Sequence, residues 1–142
     1  MEKLAKAANK QAAGVAVVHG SSILLAKRIE VCPFSKKPIT FGGYWSIFSG
    51  AMDENESPPV CACRELKEET QIDIGVSEIE FICSYKNPHS LLHLYCHRSD
   101  ELLAPKLNFE HTQFGWFDLN TLDSLTEKID LDLMKVISNF VY

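Results

Sequence analysis

The stretch RELKEET, Arg64 to Thr70, constrains the fold of this chain more than any other seven residues. Glu65, Glu68 and Glu69 recur at i, i+3 and i+4, so on a helix their side chains leave one side together. The same register places Ala62, Cys63, Leu66 and Thr70 on a neighbouring face that can pack on a sheet. A helix with one apolar stripe must bury it against another element. Its start is written just upstream. Asp53 to Pro59 (DENESPP) is turn chemistry, with Ser57 as the expected N-cap and Pro58 at the first helical position. The expected helix runs from Pro58 to Thr70.

On both sides of that helix the periodicity turns strand-like. Ala12 to His19 (AAGVAVVH) reads as a buried strand, Gly20 to Ser22 as a turn, and Ile23 to Arg28 (ILLAKR) as a second strand, which together predict a hairpin. Val31 to Tyr44 carries two prolines and a glycine pair and reads as a long loop. Trp45 to Met52 (WSIFSGAM) alternates large apolar with small residues and reads as one short strand. Three further runs follow, Ile79 to Tyr85, Leu91 to His97 and Phe114 to Leu119. Asp130 to Val141 closes the chain with an amphipathic pattern that puts Leu133, Val136, Ile137 and Phe140 on one side. One helix between strand groups and one at the end predict an α/β (α+β) architecture, a mixed sheet with helices packed on it. No repeat or low-complexity linker interrupts the chain, so residues 1–142 are expected to form one domain, a length that supports a single core.

Composition removes several function classes. The formal net charge is -5 and no basic block appears, which argues against DNA or RNA as a partner. No stretch approaches the roughly 20 apolar residues of a membrane span. The N-terminal MEKLAKAANKQAAG has lysines but no apolar core, so no secretory signal is expected. The five cysteines, Cys32, Cys61, Cys63, Cys83 and Cys96, lack framework spacing. They are expected to be reduced thiols of a cytoplasmic protein.

The acidic cluster alone has two readings. Like charges at helical spacing repel by a few tenths of a kcal/mol per pair, which a solvated face tolerates. A hard divalent cation would remove the conflict, because Mg²⁺ seeks carboxylate oxygens. Three acids near a helix C-terminus also oppose the macrodipole, which favours a use for them.

The surrounding residues bear on the choice. Gly50 is followed after five residues by Glu56, and after seven more by Arg64, Glu65, Leu66, Lys67, Glu68, Glu69, Thr70, Gln71 and Ile72. This resembles the box of the Nudix (MutT-like) hydrolases, G-x5-E-x7-R-E-U-x-E-E-x-G-U, where U is apolar. Eight of its nine specified positions match: Gly50, Glu56, Arg64, Glu65, Leu66, Glu68, Glu69 and Ile72. Gln71 stands where the family has glycine. Outside the box, ILLAKR, Trp45 and the segment Glu110 to Leu122 (EHTQFGWFDLNTL) are similar to the family's flanking segments. Phe48-Ser49-Gly50 departs from its usual Pro-Gly-Gly.

The resemblance implies a Nudix-type α/β/α sandwich around a mixed β-sheet, with the box as a loop-helix-loop. It implies hydrolysis of a diphosphate bond in a nucleoside diphosphate linked to another group, with Mg²⁺ or Mn²⁺ as cofactor. Carried over by position, Glu65, Glu68 and Glu69 would ligate metal, and one box glutamate or a later carboxylate would act as base. Glu110 is the candidate for that later carboxylate and a further ligand. Arg64 would hold a glutamate in place, with Glu56 its expected partner. Gly50 would let the backbone approach the metal and offer its carbonyl. Arg28, Tyr44 and Phe114 are candidate substrate contacts, although aromatic residues such as Phe34, Phe41, Tyr44 and Phe114 more often pack.

His89, His93 and His97 are spaced by four, but LLHLYCH reads as a strand, which makes a partly exposed strand face the simpler explanation. Pro88 lies 16 residues after Ile72, as a proline often does in members that cleave ADP-ribose, so ADP-ribose or a nucleotide sugar is the favoured substrate. Tyr85 fits the dinucleoside polyphosphate pattern less well. The alternatives are a (d)NTP pyrophosphohydrolase that cleanses the nucleotide pool and a non-catalytic nucleotide sensor. The expected partner is a small nucleotide, with neither nucleic acid nor membrane; dimers are common among such enzymes. At Gln71 a left-handed cap would cost roughly 1 kcal/mol.

Overall fold

The computed structural model describes residues 10–88 and 90–142. The first nine residues and His89 therefore lie outside the described residues, and with them most of the N-terminal segment and one member of the histidine series. Strands β1 (Gln11–His19) and β2 (Ser22–Arg28) form the expected hairpin, turning at Gly20 and Ser21. Their ladder is short, pairing only Val18 with Ile23 and His19 with Ser22. Beyond it the two strands splay.

The wedge between them is filled by the segment read as one strand. It divides into β3 (Trp45–Ser46) and β4 (Phe48–Ala51). β3 pairs with β2, while β4 pairs with β1, setting Gly50 opposite Ala13. Ile47 is the change-over residue, and a two-sided partnership of this kind leaves no trace in side-chain alternation. β5 (Glu80–Lys86) and β6 (Leu91–Arg98) follow, with β6 parallel to β1 along its length and antiparallel to β5. β7 (His111–Asp118) pairs with the free edge of β2. It starts three residues earlier than the expected Phe114.

The mixed sheet is covered on both faces, which makes the layers α/β/α. Helix α1 (Pro58–Thr70) lies on one face, where Ala13, Val15 and Val17 of β1, Leu24 and Ala26 of β2, and Phe48 meet Cys61, Ala62 and Leu66. Helix α2 (Leu131–Val141) covers the other, where Ala16, Val18, Ile23, Leu25 and Leu94 meet Leu133, Met134 and Ile137. Strand alternation sends neighbouring residues to opposite cores. Each fully buried Leu on these faces stabilises the fold by about 1.5–3 kcal/mol.

Helix α1 starts where the sequence puts it, and α2 starts one residue after the expected Asp130. Asp130 caps α2 by accepting from the Leu133 N–H at 3.1 Å. Ser57 occupies the N-cap of α1 with extended backbone and Pro58 follows it, but no side-chain hydrogen bond forms there. At the other end Gln71 adopts the left-handed conformation, φ 63°, and its N–H donates to the Lys67 carbonyl. The chain accepts the strained cap rather than ending the helix in another way. All five cysteines are free thiols, with Cys61 and Cys96 buried. Among the described residues no helix is long and apolar enough to cross a membrane.

Candidate active site

The site lies where α1 crosses β4 and the start of β7. Arg64 is its frame. Its Nε donates to Glu56 Oε2 at 2.7 Å and its Nη2 to Glu56 Oε1 at 2.9 Å, a two-pronged bond. Its Nη1 reaches Glu65 at 3.1 Å and Glu68 at 3.0 Å, and its Nη2 also reaches the Ala51 carbonyl at 3.2 Å. The Asp53 N–H donates to Glu56 from the turn. Hydrogen bonding by Arg64, ahead of that from Asp53, pulls the Glu56 carboxyl down to about 2.

The three box glutamates do not share one environment. Glu68 is exposed, whereas Glu65 is nearly buried and Glu69 is completely so. The expected acidic face therefore divides, because the stripe that packs on the sheet includes Glu65 and Glu69, while Cys63, expected within it, is half-buried at its edge. Gly50 makes room for this, since a Cβ there would overlap the Glu65 carboxylate. Burial raises the Glu65 carboxyl, with Arg64 opposing it. Burial, then the charges of Glu110 and Glu65, drives the Glu69 carboxyl far above the usual carboxylate range. The buried carboxyls and Glu110 thus oppose one another's ionisation. No protein donor reaches either Glu69 oxygen among the described residues.

Glu110 is delivered by a loop pinned to the helix end. The N–H groups of Lys106 and Asn108 donate to the carbonyls of Thr70 and Glu69, which the helix itself leaves unpaired. The Ile29 N–H holds the Glu110 carbonyl, and Asn108 accepts from the Glu110 N–H. Glu110 thus faces Glu65 and Glu69 closely enough to raise both. The oxygens of these carboxylates are not gathered round one point, and no ready-made cluster of three ligands exists among the described residues. The donor chemistry still fits a hard cation: buried, mutually repelling carboxylates, orphaned Glu69 oxygens, and a glycine cradle against Glu65.

A cleft of about 110 Å³ has Ser49, the neighbour of Gly50, in its wall but none of Glu65, Glu68, Glu69 and Glu110; Trp45, Ile47, Leu92 and Leu133 in its lining belong to the core under α2. Arg28 and Tyr44 line it, together with Tyr85, Asn87 and Asp130. Phe114 stands exposed on β7, opposite Ala26 in the ladder and outside the cleft wall. Phe34 and Phe41 are also exposed, so packing does not account for them; they make edge contacts with Phe109 and Tyr44. His93 and His97 lie half-buried on one strand face, bonded to Ser84, Gln11 and the Glu78 carbonyl, as strand alternation predicts.

Sequence reasoning missed His111. Its ring is buried against Phe48, with Nε2 3.8 Å from Glu69 Oε1. Burial, then the charge of Arg28, pushes its imidazole down to about 4. The ladder explains the omission. Lys27 pairs with Gln113 and Arg28 with His111, so Thr112 is an extra residue in β7. That bulge turns His111 onto the α1 face, where unbroken alternation from Trp116 and Phe114 would have put it on the other. Glu110-His111 before a strand was the available signal.

Buried glutamates and an arginine frame thus sit with Gly50 on one loop-helix-loop against one face of a mixed sheet sandwiched by helices. The chain belongs to the Nudix family: the NUDIX domain model matches residues 8–140. A protein of Invertebrate iridescent virus 3 with a provisional hydrolase name, 111R, is 30% identical over 128 residues, 84% of this chain and 68% of the viral one. A MutT/nudix family protein from Enterococcus faecalis superposes with a TM-score of 0.71 at 20% identity, over 92% of this chain. This chain spans 60% of that protein. The NUDIX domain of Shewanella oneidensis NrtR, solved with ADP ribose, gives a TM-score of 0.73 at 18% identity, over 95% of this chain and 90% of that one.

Proposed function

We propose that this chain is a divalent-metal-dependent hydrolase that cleaves the diphosphate bond of a nucleoside diphosphate linked to another group. The observation that carries this reading is the buried pair Glu65 and Glu69 behind Gly50, with both Glu69 oxygens lacking a donor. Two adjacent buried carboxylates without a cation destabilise a fold, so their presence argues for one. Glu65, Glu68, Glu69 and Glu110 would hold Mg²⁺ or Mn²⁺, with the Gly50 carbonyl as a neutral donor. When bound, the ion supplies positive charge beside the phosphoryl oxygens and acidifies the attacking water.

The protein's own groups do the rest. Arg64, anchored on Glu56, fixes the Glu65 and Glu68 carboxylates and prevents their drifting apart. Arg28 offers a fixed positive charge to substrate phosphate from the cleft wall, and Tyr44 offers an aromatic face. Water oxygen attacks one phosphorus, the bridging P–O bond breaks, and a nucleoside monophosphate leaves. The water proton passes to a carboxylate with an open oxygen, Glu68 at the rim or Glu110 on its loop. ADP-ribose or a nucleotide sugar is the favoured substrate, supported by Pro88 beside the cleft residue Asn87 and by the ADP ribose bound to the NrtR domain.

A panel of ADP-ribose, nucleotide sugars, dinucleoside polyphosphates and (d)NTPs, each with Mg²⁺ and Mn²⁺, tests this beside Glu68→Gln and Glu69→Gln. The expected result is fastest release of nucleoside monophosphate from ADP-ribose by the wild type, sharply reduced in at least the Glu69 variant. Equal residual activity of all three proteins on every substrate would sink the catalytic reading. Tight nucleotide binding without turnover would make the chain a sensor.

A further inference from the structure

We propose that His111 is a positioning residue for Glu69: its Nε2–H donates to one carboxylate oxygen and so directs the other toward the divalent cation. This rests on the metal-dependent reading above. Four observations support it. First, Nε2 lies 3.8 Å from Glu69 Oε1, with both side chains completely buried. That is about 0.8 Å beyond a good N–H···O bond. Second, neither ring nitrogen of His111 has a hydrogen-bond partner, and Glu69, beside the like-charged Glu65 carboxylate, receives no N–H donor at either oxygen. Buried polar side chains are rarely left so. The other described histidines behave differently. His19 bonds the Ser99 carbonyl, His93 bonds Ser84 and Gln11, and His97 bonds the Glu78 carbonyl.

Third, the Thr112 bulge brings His111 onto the α1 face, where Glu69 lies. Fourth, the ring is held edge-on by Phe48, with centroids 5.3 Å apart, so its direction is set by the core and not by solvent. A small shift of the Glu69 carboxylate, the kind a cation beside it would impose, closes the gap. Outer partners that orient a ligand in this way are worth about 10–100-fold in metal affinity.

Mn²⁺ binding to the full chain, followed by electron paramagnetic resonance of the free ion, provides the test. Wild type, His111→Gln, His111→Leu and Glu69→Gln are compared. The glutamine amide keeps a donor at similar reach, and leucine keeps only volume. The expected result is binding weakened about 10–100-fold in the leucine variant, with most of the affinity rescued by glutamine. Equal affinity of wild type and His111→Leu overturns the proposal, as does an equal loss in both histidine variants. Should the leucine variant fail to fold, the ¹⁵N resonances of the wild-type His111 ring are followed during Mg²⁺ addition. A shift of Nε2 supports the bond, and an unmoved resonance overturns it. If wild type does not bind Mn²⁺, or Glu69→Gln binds it equally well, the functional reading falls and takes this proposal with it. A loss confined to the Glu69 variant leaves that reading standing and removes only the role of His111.

Discussion

Arg64 engages Glu56, Glu65 and Glu68 through one planar guanidinium, a geometry that a lysine cannot reproduce. Arg64→Lys is therefore expected to keep the fold and lower metal affinity or turnover about 10–100-fold, measured by Mg²⁺ titration of the rate. Glu56 gives a pH signature. Its carboxyl is held at about 2 in the folded chain, against an ordinary 4.5. A depressed carboxylate contributes stability that is present above the unfolded value and lost as pH falls toward the folded one. The stability advantage of wild type over Glu56→Gln should accordingly be full above pH 4.5 and shrink between 4.5 and about 2, read from urea unfolding at each pH. An advantage independent of pH would remove the charge argument. At this scale the sequence was informative about identity and poor about burial. The spacing places Glu65, Glu68 and Glu69 on one helix side, but which of them turns inward depends on where β4 and the 106–110 loop dock, and those are tertiary facts.

Helix α1 ends on a left-handed glutamine, a conformation that costs a side chain about 1–2 kcal/mol relative to glycine. Gln71→Gly is expected to stabilise the protein by about 1 kcal/mol, partly offset by the extra freedom glycine gains when unfolded. The urea midpoint should rise with an unchanged slope. A lower midpoint would mean that the glutamine side chain makes a contact worth more than the strain. Element types were legible from periodicity, because β1, β2, β5, β6 and both helices carry patterns of period 2 or 3.6 long enough to read. The failures came where the backbone departs from those periods. Ile47 separates β3 from β4 while one strand passes from β2 to β1, and Thr112 bulges out of β7. Neither device changes residue types, so neither leaves a mark in the sequence, and His111 was hidden by the second.

For the whole molecule, two cores on opposite faces of one mixed sheet leave the crossing of α1, β4 and β7 as the place where buried charge is concentrated. The layered architecture could be anticipated from a helix lying between strand groups, since each apolar stripe needs a sheet face. The cleft could not, because Arg28, Tyr44, Tyr85, Asn87 and Asp130 come from distant parts of the chain. A fold that buries Glu65 against Glu69 should also gain stability from a divalent ion, and the thermal midpoint is expected to rise with added Mg²⁺ or Mn²⁺. Catalysis is the more direct test. The protein is stripped with chelator, and ³¹P NMR follows ADP-ribose and the other panel substrates with and without restored Mg²⁺, for wild type and Glu69→Gln. The account predicts no turnover in the stripped protein, nucleoside monophosphate release when the ion is returned, and little response in the variant. Turnover that ignores the chelator, or that proceeds equally in Glu69→Gln, would contradict it.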